Sequence, residues 1–261
     1  MAKIVRIART ATLAEARRLE ERALNASGAF QSLAYDGWLI GYRRGPTKRL
    51  RCVNPFYPST LPVAEKIEWC SRFYAAAGLP AIFRLLPFAQ PRRLDAALEC
   101  AGWEEFDRTM VLRAELGHEP RTLSRFQVEI LDAASWEQSV AALLELDGDA
   151  LAAAVTRARN YPLPHAGALI RHDGSVAACG LVKIEGDHAG LFAVTTAESL
   201  RGKGLGRAIV AALLKEARRR KARLAYLQVT ADNEPALALY RGFGFERAYD
   251  YWYRARPGEQ R

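Results

Sequence analysis

Arg201-Gly202-Lys203-Gly204-Leu205-Gly206 stands where a strand hands over to a long helix, and its reading decides the fold. Upstream, Ala189 to Thr195 is apolar and rich in residues that suit a strand. Downstream, Arg207 to Arg223 reads as a helix, because Ile209, Val210, Leu213, Leu214 and Ala217 recur at helical spacing. Glycines at such a turn let the backbone approach a ligand closely and aim successive amides at one spot. The start of the helix adds partial positive charge, so the combination favours a bound phosphate group. The nucleotide-binding P-loop is excluded, since no Lys-Ser or Lys-Thr closes a longer glycine loop. A dinucleotide fingerprint is excluded as well: the spacing is G-x-G-x-G and the loop lies in the last quarter of the chain.

The residues that follow narrow the reading. Leu224 to Val229 is a second candidate strand, followed by Asn233, Pro235, a short helix from Ala236 to Tyr240, and Gly242-Phe243-Gly244-Phe245-Glu246. With these in place the chain resembles the GCN5-related N-acetyltransferase family. Arg201, Gly204 and Gly206 match its R/Q-x-x-G-x-G/A element, and Asn233, Ala236, Tyr240, Gly244 and Phe245 match its downstream element. The likeness covers roughly residues 129–256 and is most specific over 190–245.

The resemblance implies an N-acetyltransferase that uses acetyl-coenzyme A (acetyl-CoA) as donor and an amine as acceptor. It places the pantetheine arm along Phe192, Ala193, Val194 and Thr195, where that strand splays from its neighbour. The phosphates would sit on Arg201, Gly202, Lys203, Gly204, Leu205, Gly206 and Arg207. A main-chain amide near Ala193 or Val194 would meet charge developing on the thioester oxygen. Tyr240 takes the family position of the proton donor to the departing sulfur, against a plain core role. Asn233 serves equally to bind the cofactor arm or to cap the helix that begins at Pro235. Arg201 divides evenly between phosphate binding and turn stabilisation, while Phe243 and Phe245 read as packing residues. The general base is the thinnest point. His165, Glu185, His188 and Glu198 all lie near the expected pocket, and Glu185 is favoured because it follows a pocket strand. Asp132 and Glu137 read as an ordinary cap and a helix-surface carboxylate.

At 261 residues the chain is long for one such unit, and its halves resemble each other. Gly102-Trp103-Glu104 aligns with Gly244-Phe245-Glu246, and Ala81 to Leu85 corresponds to Ala225 to Val229. Where the second half has its glycines the first has Pro58-Ser59-Thr60-Leu61-Pro62-Val63-Ala64, and Leu98 stands in place of Tyr240. The expected fold class is therefore α/β: two tandem acetyltransferase-like domains with central mixed, mostly antiparallel sheets. Residues 1–116 form a degenerate unit and residues 125–261 the acetyl-CoA-binding one. A linker lies between, marked by Glu115, Gly117, Glu119, Pro120 and Arg121. Within the second unit, Phe126 to Leu131 reads as a strand and Ser135 to Leu146 as a helix. Arg157 to Pro164 reads as irregular, and a hairpin turns at His172-Asp173-Gly174-Ser175.

Composition bounds the partners. Cys52, Cys70, Cys100 and Cys179 are widely separated, and His118, His165, His172 and His188 lack close ligand partners, so no metal site is expected. No long apolar run appears, and Lys3, Arg6 and Arg9 lie among strand-like residues rather than in a targeting segment. A cytoplasmic protein without membrane partners is expected, and a homo-oligomer is left open. Net charge is +9, and the densest basic run, Lys215 to Arg223, reads as a solvated helix face. Nucleic acid is not the expected partner. The acceptor is read as a small primary amine, its walls drawn from the Asn160-Tyr161-Pro162-Leu163-Pro164 segment and the first half.

Overall fold

The computed structural model describes residues 10–27, 31–42, 47–117 and 125–259. The first half runs α1 (Leu13–Ala26), β1 (Gln31–Tyr35), β2 (Trp38–Tyr42), β3 (Val53–Asn54), α2 (Val63–Ala76), β4 (Phe83–Leu85), α3 (Leu94–Cys100) and β5 (Glu104–Glu115). The second runs β6 (Glu129–Leu131), α4 (Ala133–Val140), α5 (Gly148–Asn160), β7 (His165–His172), β8 (Ser175–Glu185), β9 (His188–Thr196), α6 (Leu205–Arg219), β10 (Leu224–Thr230), α7 (Glu234–Arg241) and β11 (Glu246–Ala255). Local chemistry sets several of these ends. Thr12 and Glu15 close a reciprocal capping box on α1. Asp36-Gly37 and Asp173-Gly174, all with positive φ, make the tight turns of the β1–β2 and β7–β8 hairpins.

The α/β architecture and the mostly antiparallel pairing hold, but two separate sheets do not form. The described strands make one sheet in the order β1-β2-β3-β4-β11-β5-β10-β9-β8-β7-β6. The reason is an exchange of last strands. β5 lies between β10 and β11, antiparallel to both, and β11 lies between β4 and β5. The run β1-β2-β3-β4-β11 thus mirrors β7-β8-β9-β10-β5, and the parallel pairs among the described strands are β3–β4 and β9–β10. Val63 and Leu205, which open α2 and α6, are 142 residues apart, as are Glu104 and Glu246, which open β5 and β11. Gly102 and Gly244 precede those strands with φ of 80° and 79°. Pulling the halves apart would break the β5–β11 ladder along Glu104 to Arg113 and open two sheet edges.

Helices cover both faces. α6 lays Ile209, Val210, Leu213, Leu214 and Ala217 against Ala178, Val182, Ile184 and Leu191. On the other face α1 packs Ala16, Leu19, Ala23 and Leu24 onto β11 tyrosines and Phe56, while α4 packs Trp136 against Leu169 and Leu181. Gly167 is required beneath Trp136, since a Cβ there would meet the indole at 2.1 Å.

Several local expectations shift. The helix expected to reach Arg223 stops at Arg219, with Lys221 in the left-handed region at φ 67°. α4 stops at Val140, short of Leu146, and only Glu129–Leu131 of the Phe126–Leu131 run pairs as a strand. The stretch read as irregular from Arg157 is helical to Asn160. Proline restricts the residue before it, so Pro162 ends the helix without unwinding the alanine-rich turns upstream. The expected linker residues Glu119, Pro120 and Arg121 lie outside the described residues, as do His118, Lys3, Arg6 and Arg9.

Candidate functional site

β9 and β10 pair only at His188–Gly190 with Leu224–Tyr226, so among the described residues β9 has no partner strand on that side from Leu191 onward. On its other side, the β8 register slips between Cys179 and Leu181. Ala193 sits in that bulge with φ 49°, exposed, its carbonyl accepting from the Cys179 thiol at 3.6 Å. A non-glycine residue at positive φ is strained and is held there by its surroundings. Part of that hold comes from Gly180. A Cβ at Gly180 would come within 2.8 Å of Ile209 and Leu213, so glycine brings α6 close under the bulge. Phe192, Ala193, Val194 and Thr195 therefore lie along a gap between diverging strands.

That gap leads to the start of α6. Gly202 and Gly204 have φ of 76° and 90°, and Gly204 caps the helix with no side-chain hydrogen bond to its first amides. No acidic side chain lies in the first turn, and Arg201, Gly202, Lys203, Gly204 and Arg207 are exposed around it. Uncapped amides, helix-dipole charge and three cations suit a pyrophosphate. The Lys203 carbonyl accepts from Arg125, which steadies the loop from outside. Leu205 faces the core, and a Cβ at Gly206 would meet Thr196 and Leu239 at ordinary contact distance, so Gly206 is not sterically forced. Arg207 stacks over Phe243 at 4.9 Å, and Arg201 meets Glu198 at 3.6 Å on the open surface.

Tyr240 is buried, its ring edge-on to Phe245, and burial pushes its hydroxyl up to about 12. Its hydroxyl makes no hydrogen bond among the described residues. A phenol that stays protonated with a free hydroxyl is fit to give up a proton. Asn233 accepts from the Ala236 amide at 3.1 Å and caps α7, which satisfies one of its two roles.

The four candidate bases separate. His165 turns both ring nitrogens onto the carbonyls of Leu163 and Ala158, and His188 is tied to Asp187 at 2.6 Å. Glu198 lies on the surface with Arg201. Glu185 accepts from Asn25 at 3.1 and 3.3 Å and lines a cavity of about 680 Å³ with Glu21, Leu24, Leu39, Phe56, Tyr57, Tyr161 and Leu163. The cavity is drawn from both halves of the chain. Glu185 pairs with His188, four residues along β8 from the Leu181–Phe192 pair. At 3.3 Å per residue it lies roughly 13 Å from the bulge.

Two groups that sequence reasoning missed lie on the same side. Lys183, between Leu181 and Glu185 on one face of β8, places its amine 4.1 Å over the Tyr161 ring, and burial lowers it to about 8. Glu137, read as a surface carboxylate, turns inward, where burial raises its pKa against Arg157, Lys183 and His165. Nothing in the local pattern of either residue signals this. Asp132, by contrast, caps α4 through Ser135 at 3.0 Å.

The corresponding site in the first half is closed. Asp36, in the β1–β2 turn, accepts from the amides of Thr60 and Leu61 at 3.0 and 2.9 Å and from the Thr60 hydroxyl at 2.8 Å. The Lys66 ammonium, fully buried on α2, lies 3.2 Å from the same carboxylate. The two amides hold the Asp36 carboxyl far below its ordinary range. An internal anion thus sits just ahead of α2, in the place matching the phosphate cradle. The opening beyond β3, which pairs with β4 only at Val53–Phe83, is filled by Phe56, Phe88 and α1.

Residues 128–245 match the model of the acetyltransferase (GNAT) family. Uncharacterized N-acetyltransferase YobR of Bacillus subtilis is 26% identical over 253 residues, which cover 91% of this chain and 97% of that protein. The ribosomal protein bS18-alanine N-acetyltransferase of Escherichia coli is 33% identical over 79 residues, 30% of this chain and 53% of that protein. The structure of a GCN5-related N-acetyltransferase from Kribbella flavida superposes with a TM-score of 0.69 at 21% identity, covering 93% of this chain and 96% of its own. Among the described residues no helix is long and apolar enough to cross a membrane, and no His, Cys, Asp or Glu group could hold a metal ion.

Proposed function

The chain belongs, through residues 128–245, to the acetyltransferase (GNAT) family, and on that footing we propose that it moves an acetyl group from acetyl-CoA to the primary amine of a small molecule. The observation that carries the proposal is the continuous path from the bulged, half-unpaired β9 to the uncapped start of α6. The first-turn amides after Gly204, with Lys203, Arg207 and Arg201, would hold the phosphates. Phe192 to Thr195 would hold the pantetheine arm, and Asn233 keeps its side-chain amide nitrogen for the same arm.

Both substrates are bound together, and the transfer is direct. The acceptor ammonium first loses a proton to water. Its nitrogen then attacks the thioester carbonyl carbon, and the electron pair displaced onto oxygen is met by a main-chain amide at Ala193 or Val194. The carbon–sulfur bond breaks, the sulfur takes the Tyr240 proton, and the new amide nitrogen releases its second proton. Tyr240 is reprotonated from solvent. In sum, an ammonium and a thioester give an amide, a thiol and one proton. Glu185, distant from the bulge, serves by holding the acceptor rather than by taking the proton at the reacting nitrogen.

Residues 1–116 and 125–261 are then two units sharing one sheet, the first having lost its donor site and kept a wall of the acceptor cavity. The free thiols, Cys100 exposed and the others buried, suit a reducing cytoplasm. Calorimetry with acetyl-CoA, followed by thiol release over a panel of primary amines, tests the proposal. Saturable binding with turnover of at least one amine supports it. Saturable binding without turnover over the panel would leave a non-catalytic acyl-CoA-binding protein instead.

A further inference from the structure

Glu21 and Glu185, from opposite halves of the chain, line the same cavity, and Asn25, one turn along α1 from Glu21, donates to Glu185. Glu21 comes from the middle of α1 and accepts from the Tyr57 hydroxyl at 3.2 Å; Glu185 ends β8 and accepts from Asn25. The Tyr161 hydroxyl donates to the Asn25 carbonyl at 3.0 Å, which ties the α5–β7 connection to α1 and closes that side. Both carboxylates are half-buried, and among the described residues neither is paired with a cation. Lys and Arg number 38 against 29 Asp and Glu, so the chain has cations to spare, yet among the described residues none forms an ion pair with these two. Two cations stand near this wall, Arg17 over the Tyr57 ring at 5.7 Å from its centroid and Lys183 over the Tyr161 ring at 4.1 Å, and each meets an aromatic face rather than Glu21 or Glu185.

Beside Ser32, the remaining walls are apolar or aromatic: Leu24, Leu39, Phe56, Pro162 and Leu163. A volume of about 680 Å³ suits a small organic molecule. An uncompensated carboxylate pair over such walls selects a cation with a hydrophobic neighbour, because desolvating a carboxylate is costly unless a positive charge takes the place of water.

The position along the sheet decides which cation. Glu185 and Phe192 share one face of the β8–β9 hairpin, since Leu181, Lys183 and Glu185 alternate with Val182 and Ile184, which pack under α6. Glu185 is therefore on the bulge's side of the sheet but roughly 13 Å along it. A nitrogen seated between Glu21 and Glu185 cannot also be the nitrogen that attacks the thioester. We propose that the acceptor carries two cationic groups joined by an apolar spacer: a primary amine that reaches the bulge, and a second ammonium held by Glu21 and Glu185. Glu21, on the half without a donor site, is a specificity-determining residue for the other half. This rests on the acetyl-transfer reading for the identity of the reacting end.

The test compares 1,8-diaminooctane with octylamine, which differ in the second nitrogen. Calorimetric titration of each into the CoA-loaded protein is run beside thiol release with acetyl-CoA. The diamine should bind at least tenfold more tightly, and Glu21→Gln should reduce that preference about tenfold while acetyl-CoA affinity stays within twofold. Glu185→Gln should reduce it too, which covers misfolding of either single variant. Equal affinity for the two amines, or a preference that both substitutions leave intact, would overturn the inference. If the diamine binds with a carboxylate-dependent preference and no thiol is released, acetyl transfer falls and the cationic site stands. If both amines are acetylated equally well, the reverse holds.

Discussion

The starts of α2 and α6 occupy matching places in the two halves, and they treat negative charge in opposite ways. Ahead of α6, glycines at positive φ leave the first amides uncapped and open to solvent among cations. Ahead of α2, the Thr60 and Leu61 amides are already spent on Asp36, and the balancing cation, Lys66, is buried inside the protein. The strands above them differ likewise. The pairing of β9 with β10 ends at Gly190, whereas the gap beyond β3 is packed with Phe56, Phe88 and α1. One half leaves its first helix amides without a side-chain cap; the other supplies its own carboxylate to the amides ahead of its helix. On the proposed reading, a mirrored fold retires a ligand site by satisfying the same backbone donors from within.

The largest expected effect falls on the closed half. Glu20 and Arg84 are fully buried and 2.7 Å apart, with Tyr249 of β11 donating to the same carboxylate at 2.8 Å. Glu20→Leu leaves the guanidinium without a counter-charge and should cost about 3–5 kcal/mol in chemical denaturation. A folded fraction that still binds acetyl-CoA normally would confirm that this half acts through structure. Next, on the open half, Tyr240→Phe should lower kcat about a hundredfold with the acetyl-CoA Kd unchanged; unaltered turnover across pH would remove Tyr240 as donor. Gly204→Val asks a β-branched residue to take φ 90° and should weaken acetyl-CoA about tenfold, from a penalty of about 1–2 kcal/mol. The mirror change, Pro62→Gly, should create no affinity, because Asp36 still holds the amides.

Smaller effects follow from titration. The folded pKa of Asp36 lies below its ordinary 3.8, so the stability it contributes is present above that value and is lost as pH falls below it. Melting curves from pH 6 to 2 should therefore be flatter for Asp36→Asn than for the parent protein. Lys183 behaves oppositely. Its folded value near 8 lies below the ordinary 10.5, so the unfolded chain binds more protons in between and stability should rise with pH from 8 towards 10. Lys183→Met should remove that rise; an unchanged slope would show the amine to be solvated.

The geometry on which the proposed donor site rests was legible because its chemistry is local. Glycines, a following amphipathic helix and the Asn233–Phe245 element lie close together in the chain, and the proposed binding is by the backbone they specify. The duplication was legible too, in Gly102 and Gly244 and the strands they introduce. The single sheet was not, because which strand fills the slot between β10 and β11 is a long-range choice that β5 and β11 leave no mark of in their own patterns. Asp36 and Glu21 escaped for the same reason: each acts on residues 24 to 36 positions away, or across the halves, and reads locally as a turn aspartate or a helix glutamate. Lys183 and Glu137 escaped because burial, which sets their charge, belongs to α4 and α5 packing on β8.

The contrast between the two helix starts predicts how many donor molecules one chain can hold. Calorimetric titration with acetyl-CoA should give one site per chain, weakened by Gly204→Val and indifferent to Asp36→Ala. Two sites per chain, or a single site that survives Gly204→Val and disappears with Asp36→Ala, would contradict the account.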